Sequence, residues 1–398
     1  MPRRISATMA SATQPRPAGA RQSRAVDVRP TFAEIDTGAL RQNIAAVQRH
    51  VGASRVLAVV KADGYGHGAA SVSKLFVEEG AWGLAVSLVE EGVELREAGV
   101  HAPLVVLGGV APDSADVIVH RQLTPVVWSV DQLERLKAAV LRTGAGSARV
   151  HVKIDSGMTR LGLLPGDLAP VLDWFARDGG RTIEFEGVMT HFACADDAGD
   201  ELTSKRQLGV FEDCLGTIAA AGLTPRLRHA CNSAGLVRFR GAHFDMVRPG
   251  IALYGAASSE DVQLEGLRQS MSMRSSVLAV REVPAGVRVS YGGRAQLGRA
   301  SRLAIVPVGY ADGYPRNMSG AAEMLVRGHR CRVVGNITMD VTMLDVTDLP
   351  GVRAGEAVTL LGRQGLERVG LHEMAGWSGT LSYEVTCGVS KRVPRRYV

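Results

Sequence analysis

Apolar positions between about residues 30 and 260 fall into two alternating rhythms. Short, nearly unbroken runs rich in Val, Ile and Leu give way to longer stretches with helical spacing. The runs are RVLAVVKA (55–62), WGLAVS (82–87), PLVVLG (103–108), TPVVWS (124–129), RVHVKID (149–155), EFEGVMTHF (184–192), RLRHACN (226–232) and FDMVRPG (244–250). In the segment SVDQLERLKAAVLRTG (129–144), Val130, Leu133, Leu136, Ala139 and Val140 share one helix face. Eight apolar strands alternating with helices predict a parallel α/β fold buried on both faces. No GxGxxG turn follows an early strand, so a closed (β/α)8 barrel is favoured over an open doubly wound sheet.

Beyond about residue 265 the rhythm changes. SSVLAVREV, RLAIVPVGY, AEMLVRG, HRCRVVGNI, VTMLDV and AVTLLG are short strands separated by Gly, Pro and Asp turns. One short helix is expected around GLHEMAGWSG. The chain therefore reads as an N-terminal segment 1–29, a TIM-like barrel over 30–265 and a mostly-β domain over 266–398. The strand PTFAEID (30–36) precedes the first barrel helix and could pair with either domain.

Composition narrows the function classes. The net charge is +6, and residues 1–29 carry +5 of it. The body is close to neutral and shows no basic patch with interleaved aromatics, which argues against nucleic acid. The Arg-, Ser-, Ala- and Pro-rich first segment lacks an apolar core for a secretory signal; it reads as a disordered extension, with Met9 an alternative start. No apolar stretch has the length of a membrane span. Five scattered cysteines, never spaced as CxxC, fit neither a disulfide framework nor a zinc site and suit a reducing cytoplasm.

In a (β/α)8 barrel the chemistry sits at the C-terminal strand ends. Lys61, Arg160, His191, Ser233 and Arg248 all fall at or just after such ends, so five strand ends point polar groups at one mouth. By itself Lys61 could be an ordinary surface lysine. Behind the apolar wall of VLAVV, however, it has the setting of a desolvated, nucleophilic amine. The GYGHG that follows offers backbone able to approach a phosphate, and a tyrosine hydroxyl.

AVVKADGYGHG (58–68) closely resembles the pyridoxal-phosphate site of alanine racemases. The resemblance continues through VKIDSGMTRLG (152–162), MTHFACAD (189–196), NSAG (232–235), MVRPGIALYG (246–255), VSYGG (289–293), VPVGYADGYPR (306–316), GNITMD (335–340) and LSYEVTC (381–387). It covers the chain from about residue 31 onwards and spans both domains, in order.

The resemblance implies a pyridoxal 5'-phosphate enzyme, an alanine racemase that supplies D-alanine for peptidoglycan or begins its breakdown. It implies that Lys61 holds the cofactor through a Schiff base, and that Tyr65, Tyr383, Ser233 and the backbone N–H groups of Gly250 and Ile251 take its phosphate. Arg248 is implied to face the pyridine nitrogen. An arginine only donates there, so the ring is a weaker electron sink than with an acidic partner. Racemisation needs acid/base groups on both faces of Cα: Lys61 on one and, by resemblance, Tyr291 on the other, reaching the barrel of a partner subunit in a homodimer. His191 is implied to bond Tyr291, with Arg248 behind it. Arg160 is implied to hold the cofactor's phenolic oxygen and the substrate carboxylate, with Met339 of the other subunit. Lys153 matches a lysine often carbamylated in the family, and Tyr310 and Asp340 are implied to line the entry. The rivals are a broad-specificity amino-acid racemase, a barrel-fold decarboxylase with the same cofactor, and a non-catalytic cofactor-binding barrel.

Overall fold

The computed structural model describes residues 28–257, 259 and 261–398. The expectation of a disordered extension over 1–29 lies, for residues 1–27, outside the described residues. Val28 and Arg29 are described, and Arg29 is docked: both terminal nitrogens of its guanidinium bond the buried Asp312 carboxylate at 2.6 Å.

Eight of the strands form one all-parallel sheet. They are β2 (Arg55–Val59), β3 (Gly83–Val86), β4 (Leu104–Val106), β5 (Thr124–Val127), β6 (Ala148–Lys153), β7 (Ile183–Met189), β8 (Leu227–His229) and β9 (Met246–Val247). β1 is Phe32–Ile35 and stands outside this sheet. Neighbours pair in chain order from β2 to β8, and β9 returns to pair with β2. Asp245 N to Arg228 O and Arg248 N to Cys231 O bring the β8 and β9 segments together and close the barrel. Every residue of β3, β4 and β5 is buried, as expected of strands covered on one side by helices and on the other by the barrel core. Six of the eight strands fall within the apolar runs of the sequence, and β6 and β7 begin one residue before theirs.

Local chemistry sets the helix limits. The helix Val130–Thr143 starts where the Ser129 side chain accepts from Gln132 N, and stops where Gly144 adopts a left-handed conformation. Asp36 caps the helix Thr37–Val51 in the same way.

The strand of ambiguous allegiance, β1, belongs to the β domain. It pairs antiparallel with β10 (Met271–Ser276) and parallel with Arg395–Tyr397, so the first and last described strands lie side by side in one sheet. That sheet continues from β10 through Ala357–Gln364 and Glu323–Val326 to His329–Arg332. A second sheet orders Ala279–Val283, Ser301–Val306 and Thr342–Asp345. The expected helix is present at Leu371–Ser378, and a second one, Ser382–Cys387, follows it. Gly66 permits that second helix to approach the barrel mouth: a Cβ there would lie 2.0 Å from Thr386 O.

Candidate active site

Strand β2 ends at Val59, two residues before Lys61. The backbone then leaves the sheet in an unusual way. Ala62, Asp63, Gly64 and Tyr65 all have φ between 51° and 62°. Three of these four residues are not glycine, so the turn carries backbone strain that its surroundings must hold. Glu91 does much of this. Its carboxylate accepts from Ala62 N at 2.6 Å, Ser87 N at 2.8 Å and Leu88 N at 3.0 Å, tying the lysine turn to the next strand–helix junction. Asp63 accepts from Ala69 N. His67 is fully buried; its Nδ1 faces the carbonyl oxygen of Tyr65 and its Nε2 meets Ser270 Oγ. The glycines pointed to a tight turn, but the strain at Ala62 and Asp63 and the clamp by Glu91 were not foreseen.

The turn delivers Lys61 to a cavity of about 500 Å³ at the C-terminal end of the barrel. Tyr65, Lys153, Arg160, His191, Ser233, Arg248, Gly250, Ile251 and Tyr383 also line it. Of the remaining sequence-predicted residues, none of Tyr291, Met339, Tyr310 and Asp340 lines it. Those four lie together in the β domain. Asn336 Nδ2 donates to Tyr291 O, Tyr310 N to Thr338 O, and Ala311 N to Met339 O. Asp340 pairs with Arg392 at 2.7 Å. Tyr291 is 74% exposed and Met339 52%. A single chain thus holds the sequence-predicted residues in two separate groups, one in the barrel mouth and one on the surface of the β domain.

Four cationic side chains, Lys61, Lys153, Arg160 and Arg248, line the cavity, and among the described residues no carboxylate does. Lys153 is buried without a hydrogen bond or ion pair among the described residues. Burial, then the charges of Arg160 and Arg248, bring its amine down to about 8, against a smaller opposing effect of Asp155. Asp155 is otherwise occupied: it accepts backbone N–H groups from Gly157, Met158, Thr159 and Arg160, and so shapes the loop that carries Arg160. A cavity of this charge suits a ligand with several anionic groups.

Arg248 is buried, and its own partners fix its orientation. Nη2 donates to Thr190 O at 2.7 Å and Ala230 O at 2.9 Å and lies 3.3 Å from His191 Nδ1; Nη1 lies 2.9 Å from His229 Nδ1. Burial lowers its pKa to about 10, which leaves it charged at neutral pH. His191 is pushed well below its ordinary range by burial first, then by Arg248, Lys153, Arg160 and Lys61. It is therefore neutral. With Nδ1 facing a guanidinium that can only donate, its one hydrogen sits on Nε2.

Ser233 Oγ accepts from Gly250 N at 2.9 Å and Ala252 N at 3.3 Å. Gly250 N–H was expected to meet a phosphate directly; here it holds Ser233 instead. That leaves the Ser233 hydroxyl hydrogen and Ile251 N–H as donors without an acceptor among the described residues. Asn232 caps the helix Ser233–Arg238 by accepting from Gly235 N. The Tyr65 hydroxyl abuts Gly250, where a Cβ would come within 2.3 Å of its oxygen. Burial, with smaller effects of Tyr383, Cys387 and Glu91, raises the Tyr65 phenol far above its ordinary value, so it stays a donor. The β domain of the same chain adds Tyr383 and Cys387 to the wall. Cys387 was not singled out from sequence.

Two family models match, "Alanine racemase, N-terminal domain" over residues 35–258 and "Alanine racemase, C-terminal domain" over 270–397. The chain belongs to the alanine racemase family. It is 44% identical over 371 residues to the alanine racemase of Symbiobacterium thermophilum, covering 93% of this chain and 97% of that one. It is 40% identical over 380 residues to that of Sorangium cellulosum, covering 93% and 99%. Among solved structures, alanine racemase from the D-cycloserine producer Streptomyces lavendulae superposes with a TM-score of 0.89 at 34% identity, covering 93% of this chain and 97% of that one. The Bacillus anthracis alanine racemase with bound L-Ala-P gives 0.87 at 34% identity, covering 93% and 95%. The expected barrel followed by a mostly-β domain is borne out. As a member of this family the chain is an enzyme, a racemase that depends on pyridoxal phosphate.

Proposed function

We propose that this protein interconverts L- and D-alanine by two-base proton exchange at Cα, in a homodimer whose sites are shared between subunits. The observation that carries the reading is the cavity itself: a lysine on a strained turn, three further cations, no carboxylate among the described residues, and a cluster of phosphate-suited donors on one wall. These residues fit pyridoxal phosphate. Lys61 would hold it covalently. Tyr65, Tyr383, the Ser233 hydroxyl and Ile251 N–H would take its phosphate, with Gly250 leaving room for the Tyr65 hydroxyl. When bound, the cofactor draws electron density from Cα and acidifies its hydrogen.

The chain's own residues then divide the work. Arg248 presents donors only, so a ring nitrogen beside it accepts and stays unprotonated. That limits how far negative charge spreads and favours prompt return of a proton to Cα. Arg160 offers its planar fork to the substrate carboxylate. Lys61 moves a proton on one face. Tyr291 of a second subunit serves the other face, with Met339, Tyr310 and Asp340 beside it at the entry. The reading is supported by the exposure of Tyr291 and Met339 on a single chain, and by the Nε2–H of His191. A tyrosine acting as a base must spend time as an anion, and that N–H is a donor suited to one. Lys153, a buried amine brought down to about 8, is a candidate for reaction with carbon dioxide; the resulting carbamate would neutralise the cationic wall beside Arg160.

Among the described residues no helix is long and apolar enough to cross a membrane. A cytoplasmic role in supplying D-alanine to the cell wall goes with five free cysteines. Incubating the cofactor-loaded protein in deuterium oxide with each proteinogenic L-amino acid tests the reading. Deuterium should enter Cα of both alanine enantiomers. Comparable exchange into both enantiomers of serine, lysine or arginine would favour a broad-specificity racemase instead.

A further inference from the structure

Behind Arg248 runs a line of buried polar side chains that the site has not used. Arg248 Nη1 lies 2.9 Å from His229 Nδ1. His229 Nε2 lies 2.9 Å from His151 Nδ1, and His151 Nε2 lies 3.3 Å from Glu186 Oε2. Both histidines are 0% exposed and Glu186 2%. At the far end Arg149 and Arg226 reach Glu186 Oε1 from the surface, at 3.3 Å and 2.9 Å.

The local backbone is shaped to bury this line. Along the β6–β7 ladder Val150 faces Phe185 and His151 faces Gly187, so Glu186 is the extra residue of a β-bulge. Bulges re-aim side chains, and this one accompanies a carboxylate buried on a strand whose other glutamate, Glu184, is exposed. Gly187 is needed as well: a Cβ there would lie 2.9 Å from the His151 ring.

The chemistry of the two ends fixes the hydrogens between them. A guanidinium can only donate and a carboxylate can only accept. His229 must therefore accept at Nδ1 and donate from Nε2, and His151 must do the same. Each ring then carries one hydrogen and every bond is satisfied. The opposite tautomer of His229 would set N–H against N–H at Arg248. A second proton on His151 would force that same tautomer.

We propose that Glu186 and His151 are positioning residues for Arg248: acting through His229, they fix which ring nitrogens carry hydrogen and so hold the guanidinium as a donor at the cavity wall. The proposal rests on Arg248 facing the cofactor ring, as in the reading above. Without Glu186, the His151 Nε2–H is buried with no acceptor, and the two rings are free to reverse.

The test uses the cofactor-loaded, full-length protein labelled with ¹⁵N-histidine. Long-range ¹H–¹⁵N spectra at neutral pH should show His229 and His151 as neutral Nε2–H rings. Glu186→Leu should lower kcat about tenfold, the size of effect seen when outer hydrogen-bond partners of metal-bound histidines are removed. KM should change much less, and the absorbance maximum of the bound cofactor should shift. Glu186→Gln, whose amide oxygen can still accept, should restore all three towards native values. An Nδ1–H ring at His229 in the native protein would overturn the proposal. So would a Glu186→Leu protein with native kcat and absorbance, or a Glu186→Gln protein as impaired as Glu186→Leu. If Glu186→Leu does not fold, the native tautomers and Glu186→Gln decide alone. The ring spectra and cofactor absorbance do not depend on turnover, so a failure of the racemase reading would show separately, as absent D-alanine with these signals intact.

Discussion

Gly250 and Tyr65 meet so closely that a Cβ on residue 250 would lie 2.3 Å from the Tyr65 hydroxyl oxygen. That oxygen cannot give way freely, because the Tyr65 ring is wedged between Tyr254, at 4.9 Å between centroids, and Tyr383, at 6.0 Å. Gly250→Ala should therefore displace the hydroxyl and disturb Ser233, which holds Gly250 N. Overpacking of this kind costs about 1–3 kcal/mol. We expect cofactor affinity to fall by about tenfold or more, read by absorbance titration, with the fold retained by circular dichroism. Native affinity in Gly250→Ala would remove Tyr65 from the phosphate site.

Tyr291 and Lys61 provide a test of the shared site. Tyr291→Phe should cut turnover about 10²–10⁴-fold, the usual worth of a positioned acid/base group, while cofactor absorbance stays native. Lys61→Ala should lose both. Mixing the two inactive proteins under conditions of subunit exchange should restore activity, since about half the dimers formed would be mixed and each would hold one complete site. If the mixture stays as inactive as its parts, both groups act within one chain or Tyr291 does not act.

The structure makes His67 a staple for the lysine turn, between the Tyr65 carbonyl and Ser270 Oγ. Burial brings its imidazole down from 6.5 to about 4, against the opposing bonds to Tyr65 and Gly64 carbonyls. The unfolded chain therefore binds more protons between these values, and stability falls as pH drops from 6.5 towards 4. His67→Asn can keep a donor near Tyr65 O but loses Ser270 Oγ. It should cost about 1–3 kcal/mol at pH 7 and flatten part of the acid loss, measured by urea unfolding at several pH values. An unchanged pH slope would contradict the assignment.

Lys153 behaves in the opposite range. Its folded value of about 8 lies below its ordinary 10.5, so in carbon-dioxide-free buffer the folded state is penalised below 8 and relieved as pH rises to 10.5. Lys153→Met should stabilise the apoprotein at pH 7, and the gain should shrink by pH 10. With ¹³C-bicarbonate present, the native protein should show a carbamate carbon resonance that Lys153→Met lacks. A native spectrum without it would leave Lys153 as an amine in the cavity.

The barrel was legible because parallel strands buried on both faces leave long apolar runs, and each of the eight was found. The mouth was legible for a related reason: Lys61, His191 and Arg248 interrupt or terminate those runs with chemistry an apolar strand does not need. β1 was not legible, since four alternating residues fit either sheet and only its pairing with β10 and Arg395–Tyr397 decides. Glu91 was hidden among the glutamates of an ordinary helix start. His151 and Glu186 did leave a trace, as polar residues inside RVHVKID and EFEGVMTHF, but the bulge that buries Glu186 depends on the register of β6 against β7. No single segment shows that.

The central claim is tested most directly by chiral chromatography of L-alanine incubated with the purified, cofactor-loaded protein. D-alanine should appear and rise until the two enantiomers are equal, and the same mixture should be reached from D-alanine, because the enantiomers have equal free energy in water. Loss of alanine with release of carbon dioxide, or no D-alanine from a protein with native cofactor absorbance, would contradict it.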